Sequence, residues 1–349
     1  MKAWQLEKLG GSLQLNDVAV PEVRPGSVLV KVSCGALLSY QRDYVEGKLP
    51  HYSPPDGFFT IGTNAIGRIE KVGRDVWHLK AGDRVFVSPH MVARENVVEP
   101  AQALIGLTAY GDGKKLQADW RDGPLAEYLL TPAATLTPIE GLDWISDTQL
   151  ITLMRYAVPY GGLVRGRLAA GETVVVTGAT GAFGTAAVYL AVAMGAGRVI
   201  AAGRNRAALD ALKSERVTPV VLSGELEADV AMLRAYQPSM AFDIVGRATD
   251  PNATLAALRS LQRNGRLVIM GSMAVPLPIP YGDVMINNWE IIGQFMYDAG
   301  AVRSLLGLAR SKQLDLSRIA VKEFAFKDLR AGMDAAAAAS NTECVVVTM

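Results

Sequence analysis

Cysteine is scarce in this sequence. Only Cys34 and Cys344 occur among 349 residues, so disulfide bonds cannot supply the framework that small secreted domains use. Two thiols are also too few for a metal site of four thiolates. The fold must therefore rest on packing, and the 50% of residues that are hydrophobic can form a large core.

The sequence also lacks an excess of either charge. Its 35 Lys and Arg residues are balanced by 34 Asp and Glu residues, so the formal net charge is +1. A protein that binds nucleic acid normally carries a clear positive excess, because it neutralises phosphates. The composition therefore excludes nucleic acid as the expected partner.

Long hydrophobic runs are missing as well. The longest apolar stretch, residues 185–196, is too short to cross a bilayer core of about 30 Å. Charges stand at Lys2 and Glu7, and no apolar stretch with a small-residue cleavage site follows them, which argues against a signal peptide. We expect a cytoplasmic protein with no membrane segment.

Three segments of the chain differ in their patterning. Residues 1–145 contain short apolar stretches between Gly and Pro residues, as β-rich domains do. In residues 146–296, apolar strands alternate with helical segments, which indicates a parallel sheet with helices on both faces. Residues 297–349 hold two helical segments and a last strand. The sequence thus predicts an α/β fold of about two domains.

A glycine-rich turn joins the predicted strand 173–177 to an apolar helix predicted to begin at Thr185. Glycines let the backbone approach a pyrophosphate, and the N–H groups at a helix start favour negative charge. The Gly-Lys-Ser/Thr ending of a nucleoside-triphosphate loop is absent. The turn predicts a dinucleotide site; a tight turn with no ligand is the alternative. Its residues are Gly178, Ala179, Thr180, Gly181, Ala182, Phe183 and Gly184.

The next predicted strand, 198–202, ends in Gly203-Arg204-Asn205. Enzymes that bind NAD place an acidic residue about 20 residues beyond the glycines, and residues 185–205 contain none. A small residue followed by Arg gives room and charge to a 2′-phosphate. We therefore favour NADP(H) and leave NAD(H) open, since a solvated basic helix start would give the same pattern.

Six segments, one of them the glycine turn, follow one another in a recognisable order, and together they resemble the medium-chain dehydrogenase/reductase superfamily. They are 21–32, 62–67, 82–85, 178–184, 242–246 and 265–271. The resemblance implies a discontinuous GroES-like barrel domain, 1–145 with 297–349, and a Rossmann domain, 146–296. It also assigns cofactor contacts to residues after two further strands, namely Val245, Gly246, Gly271, Ser272 and Met273.

Many members of the superfamily hold a catalytic zinc between Cys, His-Glu and Cys. The corresponding positions here are Leu37 or Leu38, then Thr63-Asn64, then Met154, none of which is a good zinc ligand. The chain is more similar to the zinc-free quinone oxidoreductases, although Leu38 and Gln41 stand where those enzymes often carry Asn and Asp. We expect no zinc.

Without a metal to polarise a carbonyl, reduction of a conjugated C=C is the easier reaction. We therefore predict an NAD(P)H-dependent reductase that transfers hydride to an enone or an enoyl thioester. The hydrogen-bond donors implied by the resemblance are Ser39, Tyr40 and Asn64. Tyr40 could also supply the proton; a core aromatic is its alternative role. The other functions considered are a metal-free carbonyl or quinone reductase and a non-catalytic NADPH-binding protein related to lens crystallins.

The substrate pocket is predicted to include Arg42, Arg155, Tyr156 and Tyr160. The two arginines could receive a phosphate-bearing handle such as coenzyme A; ordinary surface charge is the alternative. The apolar segment 275–280 and the strand 289–293 would form an exposed sheet edge, which usually needs covering. We expect a homodimer through that edge, a small-molecule substrate, and neither a nucleic acid nor a membrane as a partner.

Overall fold

A computed structural model describes residues 1–94 and 96–349. The chain divides into two compact units. The first unit joins Met1–Met154 to Leu316–Met349, and the second unit is Arg155–Asp315. Within the described residues, no helix combines the length and apolar character that a membrane span requires.

The N-terminal part of the first unit is rich in short strands. The strands are β1 (Lys2–Leu6), β2 (Gln14–Asp17), β3 (Ser27–Ala36), β4 (Phe59–Thr60), β5 (Ala65–Val72), β6 (Arg84–Val87), β7 (His90–Val92), β8 (Gln102–Leu104), β9 (Thr108–Ala109), β10 (Tyr128–Pro132) and β11 (Leu136–Pro138). Three short helices accompany them, α1 (Gln41–Val45), α2 (Gly113–Asp119) and α3 (Asp147–Leu150).

Strands and helices alternate through the second unit. Its elements are α4 (Leu153–Arg165), β12 (Thr173–Thr177), α5 (Ala182–Ala193), β13 (Arg198–Gly203), α6 (Arg206–Asp210), β14 (Val217–Val221), α7 (Leu226–Arg234), β15 (Met240–Asp243), α8 (Asn252–Ser260), β16 (Arg266–Ile269), α9 (Tyr281–Asn287), β17 (Glu290–Gly293) and α10 (Ala301–Arg310). The chain then returns to the first unit through β18 (Ala320–Ala325), α11 (Leu329–Ala338) and β19 (Glu343–Thr348).

Strand β3 is the centre of the first unit. Its alternate residues Val28, Val30 and Val32 are buried in one apolar cluster, whereas Lys31 is exposed, as the two-residue period of a strand requires. The main sheet has the order β11-β6-β5-β3-β19-β18, with β10 also paired to β3. Two three-stranded sheets, β2-β1-β4 and β7-β8-β9, complete the unit.

The C-terminal strand β19 completes this sheet. It pairs antiparallel with the end of β3, where Val346 lies opposite Ala36, and it runs parallel to β18. The indole Nε1–H of Trp4 donates a 2.8 Å hydrogen bond to the carbonyl of Phe326. Backbone pairing therefore joins the two ends of the chain in one unit.

The second unit has a six-stranded sheet in the order β14-β13-β12-β15-β16-β17, and every pair is parallel. Val174, Val175 and Val176 are fully buried, because helices cover both faces of such a sheet. The order reverses between β12 and β15, and ligands of open parallel sheets bind at the carboxyl ends of the strands at this point. The predicted parallel sheet is confirmed.

An ion pair lies at the opposite end of this sheet, where the strands begin. The Arg266 guanidinium donates to both carboxylate oxygens of Glu172, at 2.9 and 2.7 Å, and also to the carbonyl of Arg167. Burial raises the pKa of Glu172, but hydrogen bonds from Arg266, the Ala169 N–H and Ser239 outweigh it, so the pKa lies below its usual value. The ion pair thus joins the amino ends of β12 and β16, and the charged atoms of both side chains are hydrogen-bonded.

Candidate functional site

The glycine turn packs so closely that side chains are excluded from it. Gly178 has a φ of +71°, and a Cβ there would lie 3.0 Å from the Cα of Val245. A Cβ on Gly184 would lie 1.9 Å from the carbonyl oxygen of Gly178. Glycine is therefore required at both positions, and the first turn of α5 lies directly against the end of β12.

Helix α5 begins at Ala182, three residues before the predicted start at Thr185. Gly181 is its N-cap in an extended conformation, and no side chain caps the helix. The first N–H groups of the helix are therefore available to an anion, and the helix dipole favours one there. The predicted start was wrong because Ala182, Phe183 and Gly184, assigned to the turn, form the first helical turn.

Strand β13 ends beside the glycine turn. A Cβ on Gly203 would lie 3.1 Å from Cγ2 of Thr180, so these two predicted cofactor residues are neighbours. Asn205 caps α6, because its Oδ1 accepts a 3.1 Å hydrogen bond from the N–H of Ala208. Arg204 is exposed. Its guanidinium is thus free to reach a ligand phosphate at the end of β13.

The ends of β15 and β16 also lie together. The N–H of Ser272 donates to the carbonyl of Val245 at 2.9 Å, and the N–H of Ala248 donates to the carbonyl of Ser272 at 2.8 Å. Ala248 and Met273 form a parallel bridge. Val245, Gly246, Gly271, Ser272 and Met273 are therefore one cluster beside Gly178. Their contact with a cofactor stays a prediction.

Sequence reasoning missed a buried pair at this switch point. The Thr177 hydroxyl at the end of β12 donates a 2.6 Å hydrogen bond to Oδ1 of Asp243 at the end of β15. Burial raises the pKa of the Asp243 carboxyl, although hydrogen bonds from Thr177, Thr254 and the Val245 N–H oppose the shift. The pair joins the two strands that flank the switch point. No motif marks it, since its burial depends on the strand order.

In the first unit, Ser39 and Tyr40 precede α1. Ser39 is exposed and Tyr40 is half-buried. The Tyr40 ring lies 6.0 Å from the ring of Tyr52, which in turn lies 5.6 Å from the ring of Tyr44. The Tyr44 hydroxyl donates to the carbonyl of Leu107 at 2.7 Å. The Tyr40 phenol is thus held at the end of a row of aromatic rings.

Asn64 lies where β3 ends and β5 begins. Its side-chain amide is buried and donates a 3.2 Å hydrogen bond to the carbonyl of Val87, and its carbonyl accepts from the N–H of Ala36 at 3.1 Å. These bonds give Asn64 a structural role at the sheet end. Its predicted catalytic role, like those of Ser39 and Tyr40, stays a prediction.

The residues at the expected zinc positions are Leu37, Leu38, Thr63, Asn64 and Met154, and all five are buried. Their donor atoms do not suit zinc, because leucine has none and a thioether is a poor ligand. In the described part of the chain, no three His, Cys, Asp or Glu residues lie close enough together to hold a metal ion. These residues do not fit a zinc ion, so no step of the mechanism below passes through one.

Two neutral side chains beside these positions have no hydrogen-bond partner among residues 1–94 and 96–349. They are the amide of Gln41, whose Oε1 and Nε2 are both unpaired, and the hydroxyl of Thr63. Gln41 is 0% exposed and Thr63 is 4% exposed. The sequence offered no signal for them, since Gln41 and Thr63 were noticed only as departures from family patterns.

The predicted substrate-pocket residues are in different surroundings. Arg42 is exposed, and it donates to Glu46 at 2.9 Å and to Asp334 at 3.0 Å. In the second unit, α4 carries Arg155 and Tyr156, which are buried, and Tyr160, which is half-buried. Arg42 is thus engaged in surface ion pairs. The role of all four residues in a substrate pocket stays a prediction.

Two protein-family models match the chain. The model described as alcohol dehydrogenase GroES-like domain matches residues 24–141, and the model described as zinc-binding dehydrogenase matches residues 182–311. These ranges coincide with the β-rich part of the first unit and with most of the parallel sheet of the second. The predicted fold class, a GroES-like domain with a Rossmann domain, is confirmed.

Curated relatives resemble the chain over almost its whole length. A putative D-xylulose reductase of Agrobacterium fabrum is 26% identical, covering 98% of this chain and 97% of that protein. Sorbitol dehydrogenase of Bacillus subtilis is 26% identical, covering 96% and 93% respectively. The crystal structure of 2R,3R-butanediol dehydrogenase from Bacillus subtilis matches with a TM-score of 0.83 at 19% identity, covering 100% and 99%. The last similarity concerns the fold.

These findings correct two expectations. The prediction of hydride transfer to an enone or enoyl thioester is wrong, because the relatives are named as reductases and dehydrogenases of D-xylulose, sorbitol and alcohols. The expectation that zinc plays no part is overturned as well, because the matching family model is described as zinc-binding dehydrogenase, even though the side chains at the aligned ligand positions are not zinc ligands. Both errors have one origin: unsuitable residues at aligned ligand positions were interpreted as evidence about the reaction.

Two other expectations are confirmed. The comparisons support an oxidoreductase and the binding of NAD(P), which agrees with the glycine turn at the switch point of the parallel sheet. An enzyme is thus favoured over the non-catalytic alternative. The two matched models, the near-complete coverage of the relatives and the observed strand order all agree with the resemblance of the chain to the medium-chain dehydrogenase/reductase superfamily of oxidoreductases.

Proposed function

We propose that this protein is an NAD(P)-dependent dehydrogenase that interconverts a hydroxyl group of a diol or polyol and the corresponding carbonyl group. The observation that carries the proposal is the dinucleotide turn at the switch point between β12 and β15. The chain is also similar over nearly its full length to relatives named D-xylulose reductase and sorbitol dehydrogenase. Binding at the carboxyl ends of parallel strands is general for this sheet type.

The reaction needs a hydride acceptor and a proton acceptor. A bound NAD(P)⁺ would accept the hydride when the carbinol C–H bond breaks, while the O–H proton would leave to a protein group or to water and the C=O bond would form. The products are a carbonyl compound, NAD(P)H and one proton. The cofactor supplies the redox chemistry, so the protein's part is to bind, orient and move the proton.

Tyr40 is our choice for the group that handles this proton. Its phenol is half-buried next to Tyr52, and a phenol can both accept a hydrogen bond and donate one. In the reductive direction, the same hydroxyl would stabilise the negative charge that develops on the carbonyl oxygen. Ser39 is the neighbouring alternative, because its exposed hydroxyl precedes Tyr40 in the chain.

On the cofactor side, we propose that the first N–H groups of α5 bind the pyrophosphate and that Arg204 binds a 2′-phosphate. The close packing of Gly184 on Gly178 places the helix start at the end of β12, and the exposed guanidinium of Arg204 follows β13. A charge-assisted hydrogen bond to phosphate is among the stronger single contacts in proteins. NADP(H) is therefore our preferred cofactor.

The test is turnover by the purified full-length chain. NADP⁺ or NAD⁺ is supplied with 2,3-butanediol, sorbitol or 2-butanol, and reduction of the nicotinamide is followed by absorbance; the reverse reaction uses the matching ketones. We expect turnover with at least one diol or polyol and faster turnover with NADP⁺. The zinc content of the same sample is measured. Absence of turnover in both directions with either cofactor would contradict the proposal.

A further inference from the structure

The most unusual chemistry outside the cofactor region lies in the first unit, where two uncharged side chains have buried polar atoms with no partner within the part of the chain that the structure describes. These atoms are Oε1 and Nε2 of Gln41 and Oγ1 of Thr63. A buried polar group without a partner costs about 1–3 kcal/mol. Native proteins contain few such groups, and those that persist commonly serve a bound water, ion or ligand.

The backbone near both residues is firmly placed. The N–H of Ala36 donates to the carbonyl of Asn64 at 3.1 Å and so joins the ends of β3 and β5. Thr63 precedes Asn64, and Gln41 begins α1 a few residues after Ala36. The N–H of Gln41 donates to the carbonyl of Leu38 at 2.9 Å. The two side chains therefore belong to segments that meet at one end of the sheet.

The surroundings offer these side chains little to bind. Leu37 and Leu38 lie between Ala36 and Gln41 in the chain, and both are buried. Asn64, the residue after Thr63, already donates its amide to the carbonyl of Val87. Tyr40, which we assign to proton handling, is the residue immediately before Gln41. A ligand bound by Gln41 would thus contact the residue that follows the proposed proton-handling residue, Tyr40, in the chain.

The chemistry of the two groups defines what they can bind. An amide has two N–H donors and a carbonyl acceptor, and a hydroxyl both donates and accepts. Neither group carries charge, so the pair does not compensate a carboxylate or a phosphate in a buried place. A hydroxyl of a ligand, which also donates and accepts, matches both.

We propose that Gln41 and Thr63 bind the non-reacting hydroxyl of a vicinal diol, or of the α-hydroxyketone formed from it, and thereby select such substrates over simple alcohols. The proposal rests on the proposed function. It makes Gln41 and Thr63 specificity-determining residues, and it gives a reason for leaving polar groups unpaired in the free protein. A site that hydrogen-bonds a substrate hydroxyl rejects analogues without it, because its own polar groups would then stay unpaired.

The experiment compares wild type with two variants of matched shape, Thr63→Val and Gln41→Met. We expect each variant to lower kcat/KM for 2,3-butanediol about 10–100-fold and for 2-butanol less than about 3-fold. Because the variants remove unpaired polar atoms, the melting temperature of the free protein should stay the same or rise. The inference is overturned if both substrates lose activity equally, or if stability falls while selectivity is unchanged.

Thr135→Val is the matched control. Its hydroxyl is also buried, but it donates to the carbonyl of Pro132 at 2.8 Å and contacts the hydroxyl of Thr131. Removing a paired hydroxyl should lower the melting temperature and leave the preference for the diol unchanged. This control separates the loss of any buried hydroxyl from the loss of an unpaired one.

A binding measurement separates failure of this inference from failure of the proposed function. The melting temperature is measured with NADP⁺, with and without 2,3-butanediol. If the wild type turns over no alcohol, the proposed function is wrong; a diol-induced rise that is lost in Thr63→Val still supports the pair as a diol site. If the diol raises the melting temperature of neither protein, the pair is not a diol site.

Discussion

The cofactor region of the second unit and the polar pair of the first unit, Gln41 and Thr63, differ in whether their buried polar side chains are hydrogen-bonded. At the switch point, Asp243 is buried but accepts hydrogen bonds from Thr177, Thr254 and a backbone N–H. At the sheet end of the first unit, Gln41 and Thr63 are equally buried and unpaired in the described chain. A region that binds a ligand through backbone groups can have all of its side chains hydrogen-bonded in the free protein. A region that binds through side chains must leave some of them without a hydrogen-bond partner until the ligand binds.

The largest expected effect lies in the cofactor region. Gly184→Ala would place a Cβ 1.9 Å from the carbonyl oxygen of Gly178, and backbone atoms cannot move aside as a flexible side chain can. We expect destabilisation of about 3 kcal/mol or more and loss of NADP(H) binding, measured by denaturant unfolding and calorimetry.

Gly307→Ala is the control for Gly184→Ala. It lies in helix α10, where a Cβ would meet nothing within 4 Å, so the substitution should stabilise the helix by up to about 1 kcal/mol. Normal cofactor affinity in Gly184→Ala would show that cofactor binding does not need the close contact of α5 with β12. The comparison between the two regions would then not hold for the cofactor region.

The second prediction concerns a paired buried group. Arg266→Met leaves the half-buried Glu172 without its main partner, and we expect a loss of about 1.5–3 kcal/mol in chemical unfolding. This is opposite in sign to the effect expected for Thr63→Val. Glu290→Gln removes an exposed ion pair with Arg167 and should change stability by less than about 1 kcal/mol.

The same pair makes a prediction about pH. The folded pKa of Glu172 is lowered, so the carboxylate contributes stability above its unfolded pKa, and this contribution is lost as the pH falls through the folded pKa. Glu172→Gln should lose stability at neutral pH and show a weaker acid dependence than the wild type. An unchanged slope of stability against pH would show that the Arg266 contact does not favour the charged form.

The third prediction tests the cofactor assignment. Arg204→Ser should weaken NADPH binding about 10–100-fold, the range of one hydrogen bond to a charged group, and should leave NADH binding within about 3-fold. Arg206→Ser, an exposed arginine at the start of α6, is the control. Equal loss of both cofactors, or an equal effect in the control, would contradict a 2′-phosphate contact at Arg204.

The smallest effect on the fold is expected at the edge of the second sheet. Helix α9 has no buried residue, and its Tyr281, Met285 and Ile286 are exposed beside the edge strand β17. If the expected homodimer forms through this edge, Met285→Lys should halve the mass measured by sedimentation while leaving the melting temperature of the monomer nearly unchanged. A wild type that sediments as one chain would contradict the dimer.

The elements that sequence reasoning recovered are those whose pattern is local. The valines of β12 and β3 indicated buried strands, and Gly178 to Gly184 indicated a strand-to-helix turn, because backbone geometry imposes those residue types. The start of α5 was misplaced, since Ala182 and Phe183 are compatible with either a loop or a helix. The reaction was mispredicted because the identity of Leu38, Thr63 and Met154 describes a metal position and not the substrate.

The sequence by itself determined the alternation of strands and helices, the glycine turn, the balance of charge and the resemblance to the superfamily, since each depends on residue type and spacing. Only the tertiary structure decided that Asp243 meets Thr177 and that Gln41 and Thr63 are buried without partners. Burial and pairing depend on which distant segments meet. For a polar side chain, the free energy of being buried is set by the atoms around it and not by its neighbours in the chain.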